Sequence, residues 1–187
     1  MRHTARVDSL RGQLLIAGPT LGDPNFARSV VLVLEHSDEG AMGLVLNRPV
    51  EATVDEAAPE LADVVDGDEL LFQGGPVQPS GVIVLAEFAD PEDAAMIVVD
   101  GVGPLAASAD LDAVQVVEGR ARAFAGHAGW GPGQLESELE RDDWITEPAR
   151  GEDAFADDAE QLWAAVLERK GGTYALVARM PEDPRVN

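Results

Sequence analysis

Apolar residues in this chain fall into short blocks, and the period of those blocks changes from the first half to the second. Residues 13–17 form a short, mostly apolar block, and residues 30–34 an unbroken apolar run rich in β-branched Val30, Val31 and Val33. The first predicts a short strand and the second a strand buried on both faces. A third block at 42–46 follows Asp38-Glu39-Gly40, so residues 29–46 predict a β-hairpin. Asn47-Arg48-Pro49 ends it, because proline cannot donate to a strand ladder. Further strands are expected at 70–72, 82–85, 96–99, 120–125 and 174–178, with a brief one at Trp144-Ile145.

Helical spacing takes over elsewhere. Thr53 and Glu56 form a capping-box pattern ahead of an apolar stripe of Leu61, Val64 and Val65. Leu111, Val114 and Val117 predict a helix over 108–117 with Gly119 as its stop. Leu135 and Leu139 mark one face of a helix running to about Asp142. The fullest pattern is over 157–170, where Ala159, Leu162, Trp163, Val166 and Leu167 share one face. Acidic residues crowd its start, Arg169-Lys170 its end, and Gly171-Gly172 terminate it. Residues 146–156 read as loop. Strands cluster early and helices late, without the strand–helix alternation of a doubly wound sheet, which predicts an α+β fold. Nothing divides the chain, so a single domain over residues 1–187 is expected, with residues 1–11 and 181–187 as flexible tails.

Composition narrows the function classes. The absence of cysteine excludes a disulfide framework, a thiolate zinc site and a cysteine nucleophile. The apolar runs are far shorter than a membrane span, and residues 14–17 are too short for a secretory core, so a soluble cytoplasmic protein is expected. The net charge of −22 is unevenly spread. Residues 51–119 hold sixteen Asp/Glu and no Lys or Arg. A field of that sign repels phosphate backbones, which argues against direct nucleic-acid binding.

Catalytic patterns are sparse. His3, His36 and His127 are the only histidines, and none stands at metal-ligand spacing from another, so no metal site is expected. No Gly-x-Ser-x-Gly elbow marks a serine nucleophile. His127, flanked by glycine and alanine, and the Glu35-His36 pair are the acid/base candidates, because imidazole titrates near neutrality. The glycine-rich segment 124–136 reads as a loop leading into a helix. Backbone N–H groups at Gly131, Gly133 and Gln134 could there cradle an anion, with Trp130 beside them. It is neither a Walker loop nor a dinucleotide fingerprint. Asn47-Arg48 and Gly74-Gly75 are two further loops of unusual composition, and Arg48 is the last base before the acid-only stretch.

Taken together, residues 13–17, Asp23-Pro24-Asn25-Phe26, Arg28-Ser29-Val30-Val31, Glu35-His36, 40–49, Gly74-Gly75-Pro76, 126–136 and Trp144 resemble the YqgE/AlgH family of bacterial proteins. The likeness runs in order from about residue 12 to 178. It implies a bifurcated, mainly antiparallel sheet curled into a pseudo-barrel with flanking helices. It implies no reaction and no cofactor, and the family's label as a transcriptional regulator comes without a DNA-binding motif. In many members of that family tyrosine stands where this chain has His127, which favours a packing role there over acid/base work. The expectation is therefore a non-enzymatic module that binds a protein or small ligand and acts on regulation indirectly. Its groove would be lined by Asn47, Arg48, Gly74, Gly75, Trp130, Gly131, Gly133 and Gln134. The alternative is an enzyme that uses His127 or Glu35 and His36 as acid/base.

Overall fold

The computed structural model describes residues 8–182. β1 (Gln13–Ala17), β2 (Val30–Ser37) and β3 (Gly40–Val45) are antiparallel neighbours, with β2 in the middle. β4 (Pro49–Thr53) leads into α1 (Val54–Ala57), and β5 (Leu70–Gln73) returns antiparallel to β4. β6 (Val77–Phe88) pairs with the short β7 (Val102–Pro104). The long β8 (Val116–Trp130) is followed by α2 (Gln134–Glu140) and by β9 (Trp144–Pro148), which lies on the free side of β1. α3 (Leu162–Lys170) and α4 (Thr173–Val177) come last.

β8 is where the sheet divides. Its first part runs antiparallel to β6, Phe124 and Ala125 pair in parallel with β5, and residues 128–130 pair with β3. The resulting order β4-β5-β8-β3-β2-β1-β9 has two ends, so the nine-stranded sheet bifurcates and curls without closing. Mixed strands and helices in this arrangement make the fold α+β, as expected.

Alternation along the central strands fills both faces of the sheet. Leu14, Ile16, Leu32 and Leu34 point into the main core, which α3 covers with Trp163, Val166 and Leu167. Leu15, Ala17, Val31 and Val33 point to the other face, against Trp130, Leu135 and Trp144. All of Val30 to Leu34 are at most 2% exposed, the outcome the unbroken run predicts. Each such side chain contributes about 1.5–3 kcal/mol on burial, so β2 anchors the molecule.

Several sequence expectations give way to tertiary structure. The 108–117 helix does not form: Asp110 accepts N–H bonds from Ala113 and Val114, its side chain accepts from Asp112, and the chain then enters β8 at Val116. Leu111 and Val114 still pack inward, so their spacing reported burial and not helix. Residues 174–178 are not a strand, because α4 folds back on α3 with Lys170 Nζ 5.1 Å from the Tyr174 ring. Residues 96–99 make only an isolated bridge, Val99 to Val102. The capping box forms as expected, but Pro59 starts a separate 3-10 turn and leaves α1 four residues long. The helix expected over 157–170 begins as α3 only at Leu162, after a 3-10 turn at Ala159–Gln161. The supposed loop over 146–156 holds most of β9 and a 3-10 helix at Gly151–Phe155. Within the expected glycine loop, residues 126–130 are the end of β8. Residues 1–7 and 183–187, and with them most of the expected tails, lie outside the described residues.

Candidate functional site

The three unusual loops are neighbours through their backbones. Gln73 N–H donates to the Arg48 carbonyl at 2.8 Å, Gly74 N–H to Ala125 at 2.8 Å, and Val45 N–H to Gly74 at 2.9 Å. Their polar groups, however, are turned inward. The Asn47 amide accepts from Val30 N–H at 3.0 Å and donates to the Arg28 carbonyl at 2.9 Å, which fixes the entry to β2. Arg48 donates to the carbonyls of Pro24, Asn25 and Ala27, pinning the turn before β2. Burial holds its guanidinium below the usual arginine pKa, with Asp23 opposing.

Gly74 and Gly75 are buried where two backbones cross. A Cβ on Gly74 would lie 2.3 Å from the Gly126 carbonyl oxygen, and one on Gly75 2.2 Å from the His127 carbonyl carbon. Gly75 and Gly126 also take positive φ, +152° and +71°, which side chains rarely adopt. The glycines are there for close approach of the chain to itself.

Trp130 is 7% exposed and forms an aromatic group with Phe26 and Trp144. Its Nε1–H donates to Glu138 Oε2 at 2.7 Å, and Trp144 Nε1–H donates to the same oxygen at 2.8 Å. Gln134 folds back on its own turn: its Oε1 accepts from Gly131 N–H at 3.0 Å and its Nε2 donates to Glu138 Oε1 at 3.2 Å. Gly133, at φ +74°, makes the turn into α2. The expected anion cradle is thus partly filled by the chain's own glutamine, and acidic Glu136 and Glu138 stand beside it.

His36 is engaged at both ring nitrogens. Nδ1 accepts from Leu10 N–H at 2.9 Å, so the ring proton sits on Nε2, which contacts Glu136 Oε1 at 2.6 Å. With its side chain 1% exposed, the imidazole is a tie between residues 8–12, β2 and α2. The bond to His36 is the main reason the Glu136 carboxyl is held below its ordinary pKa, with a backbone bond assisting and burial opposing. His127, on β8, pairs with Val77 of β6 and is half-buried. No hydrogen bond among the described residues joins Glu35 or His36 to His127, and His3 lies outside those residues. Among the described residues, no group of three His, Asp or Glu is arranged to hold a metal ion, and no helix is long and apolar enough to cross a membrane.

A cavity of about 540 Å³ opens elsewhere, between β2, β3, β6 and the segment after β7. Leu34, Met42, Ile83, Val84, Leu105 and Leu111 give it apolar walls, and Glu35 is its one ionisable wall residue. Leu105 N–H bonds the Val84 carbonyl at 2.8 Å and Ala106 N–H the Asp93 carbonyl at 3.0 Å, which holds the outer wall in place. Its size is that of a small-ligand pocket.

Comparison with known proteins fits the fold just described. Residues 14–175 match a family model described as AlgH-like. The chain belongs to the AlgH-like family. It is 40% identical to a UPF0301 protein of Streptomyces coelicolor over 193 residues, covering 100% of both chains. It is 41% identical to one from Chlorobaculum tepidum, over 94% of this chain and 95% of that one. A crystal structure of a Corynebacterium diphtheriae protein superposes with a TM-score of 0.80 at 30% identity, over 89% of this chain and 90% of that one. The solution structure of the AlgH protein from Pseudomonas aeruginosa gives 0.71 at 29% identity, over 97% and 98%.

For this AlgH-like chain, sequence reasoning found loops that shape the fold and missed the cavity. Apart from Glu35, which the sequence offers as an acid/base candidate, the wall residues are ordinary apolar residues from distant segments, so no motif announces them. The available signal was local: Ala106, Ala107 and Ala109 cluster after Pro104, a run of small side chains that leaves room.

Proposed function

We propose that this AlgH-like chain is a non-enzymatic cytoplasmic module that binds a small, largely apolar ligand in the cavity between β2, β3 and β6. The observation that carries the reading is the chemistry of the wall: apolar throughout except for Glu35. The acid/base alternative calls for Glu35, His36 and His127 to converge within hydrogen-bond or one-water reach. His36 is committed to Leu10 and Glu136, and His127 is not among the wall residues. On this reading Asn47, Arg48, Gly74, Gly75, Trp130, Gly131, Gly133 and Gln134 hold the strands that build the cavity, and any regulatory role is exerted through the bound state.

The test uses a neutral apolar dye such as Nile red, titrated into the full chain. Saturable binding is expected, and Ala107→Trp, at an exposed wall position, should abolish it while leaving the unfolding temperature unchanged. Equal binding by a folded Ala107→Trp variant would remove the cavity from consideration, and no saturable binding by the wild type would remove the function.

A further inference from the structure

Glu35 reaches the cavity through an irregularity in β2. The β2–β3 register is regular to Val33↔Gly43 and resumes at Glu35↔Met42, so Leu34 is an extra residue on β2. In a regular strand, adjacent side chains face opposite sides; a bulge cancels that alternation and re-aims a side chain. Here Leu34 and Glu35 both line the cavity. Leu34 is 2% exposed and Glu35 is exposed, so the carboxylate stands at the mouth with the apolar wall behind it.

The chain segments that supply the walls carry charge of one dominant sign. Apart from Leu34, Glu35 and Met42, every wall residue comes from the stretch 51–119, with its sixteen acids and no Lys or Arg. Glu60 lies next to wall residue Leu61, and Asp110 and Asp112 flank Leu111. Arg11 does approach this side of the molecule, where it donates to the Ile97 carbonyl at 2.5 Å, one residue from Met96 of the wall.

We infer that the cavity selects small organic cations, with an apolar body against Leu34, Ile83 and Leu105 and an ammonium or amidinium group at Glu35. This rests on the binding reading above and adds the sign of the ligand's charge. An anionic amphiphile of the same length would bring its head group against the Glu35 carboxylate, and a neutral one would gain only the apolar contact.

Calorimetric titration of the full chain with octylammonium, octanol and octanoate at low ionic strength separates the two ideas. Octylammonium should bind about fivefold more tightly than octanol, the advantage of one exposed charge pair at contact distance in water, and octanoate should bind most weakly. The advantage should shrink with added salt. Glu35→Gln should erase it and leave octanol binding unchanged. Glu168→Gln, which removes the same charge from the exposed face of α3, should leave both ligands unaffected. Octanol binding as tightly as octylammonium, or a preference lost equally in Glu168→Gln, would overturn the cation assignment while sparing the apolar cavity. Failure of all three ligands would overturn both.

Discussion

His36 Nε2 lies 2.6 Å from Glu136 Oε1, and this contact ties α2 to β2 across one hundred residues of sequence. Because Nδ1 already accepts from Leu10, the same ring also holds the segment before β1. Nitrogen NMR should therefore find the Nε2–H tautomer. The depressed Glu136 pKa has a definite sign in stability. A carboxyl whose folded pKa is lowered contributes stability above its unfolded value and loses it as pH falls through the folded one. Relative to wild type, Glu136→Gln should unfold more easily at neutral pH, by about 1 kcal/mol, and the difference should vanish as pH drops below 4.5 and through the folded pKa. Denaturant titrations of both proteins from neutral into acid check this; a pH-independent difference would contradict it.

Trp130 and Trp144 share one oxygen of Glu138, and their rings meet edge-on at 6.0 Å. Glu138→Ala should leave two indole N–H groups without a partner and cost about 2 kcal/mol. Trp130→Ala should cost about 3–5 kcal/mol through loss of packing against Phe26, Trp144 and Leu135. Trp130→Phe keeps an aromatic ring but loses the Nε1–H and part of the volume, and should cost about 1–3 kcal/mol. If Trp130 supports the sheet and does not touch ligand, Trp130→Phe should bind the apolar dye as wild type does. A binding defect without a stability defect would restore this residue to a direct role.

Gly75 and Gly126 make a sharper test, because each closes on the backbone of the other's segment. The Gly126 Cβ position lies 2.3 Å from the Gly75 carbonyl oxygen. Alanine at either position must move main chain, and a loss of more than about 3 kcal/mol is expected from clash and strain together. Gly119 is the internal control: its φ is also positive, +73°, but nothing lies within 4 Å of its Cβ position. Gly119→Ala should cost only about 1–2 kcal/mol, the left-handed penalty by itself. Thermal unfolding of the three variants decides whether crossing or φ dominates.

What could be read from the residues depended on how local the cause was. The Thr53–Glu56 capping box and the β2–β3 hairpin need only neighbours in sequence, and both form as expected. The both-face burial of β2 was legible because an unbroken run leaves no polar face. Gly126 and Gly129 read as loop because glycine weakens isolated strands, yet Gly129 pairs with Met42 and Gly126 is dictated by Gly75. Tyr174 and Val177 favour strand, but in the fold they lie on α4, which packs on α3. The Leu34 bulge that aims Glu35 is a property of two strands' register, which no single segment encodes. The fold class was therefore accessible and the cavity was not.

Asp153 and Arg169 form the most enclosed ion pair among the described residues, with side chains 5% and 17% exposed. The carboxylate accepts from both terminal guanidinium nitrogens, at 2.8 and 2.9 Å, and from Arg150 N–H at 2.7 Å. Those bonds, more than burial opposes, raise the Arg169 pKa above its ordinary value. The pair joins α3 to the 3-10 helix at Gly151–Phe155, and so to the main core through Phe155. Removing one partner strands a buried charge: Arg169→Leu should cost about 3–5 kcal/mol. Removing both need not. Arg169 Nε has no hydrogen-bond partner, so the pair is imperfectly satisfied and its desolvation is not fully recovered. The double variant Arg169→Leu with Asp153→Leu should regain most of the loss, and the coupling energy between the two side chains should respond weakly to salt because the pair is screened little. A double-mutant cycle by denaturant unfolding measures both; losses that simply add would mean that the two side chains act independently.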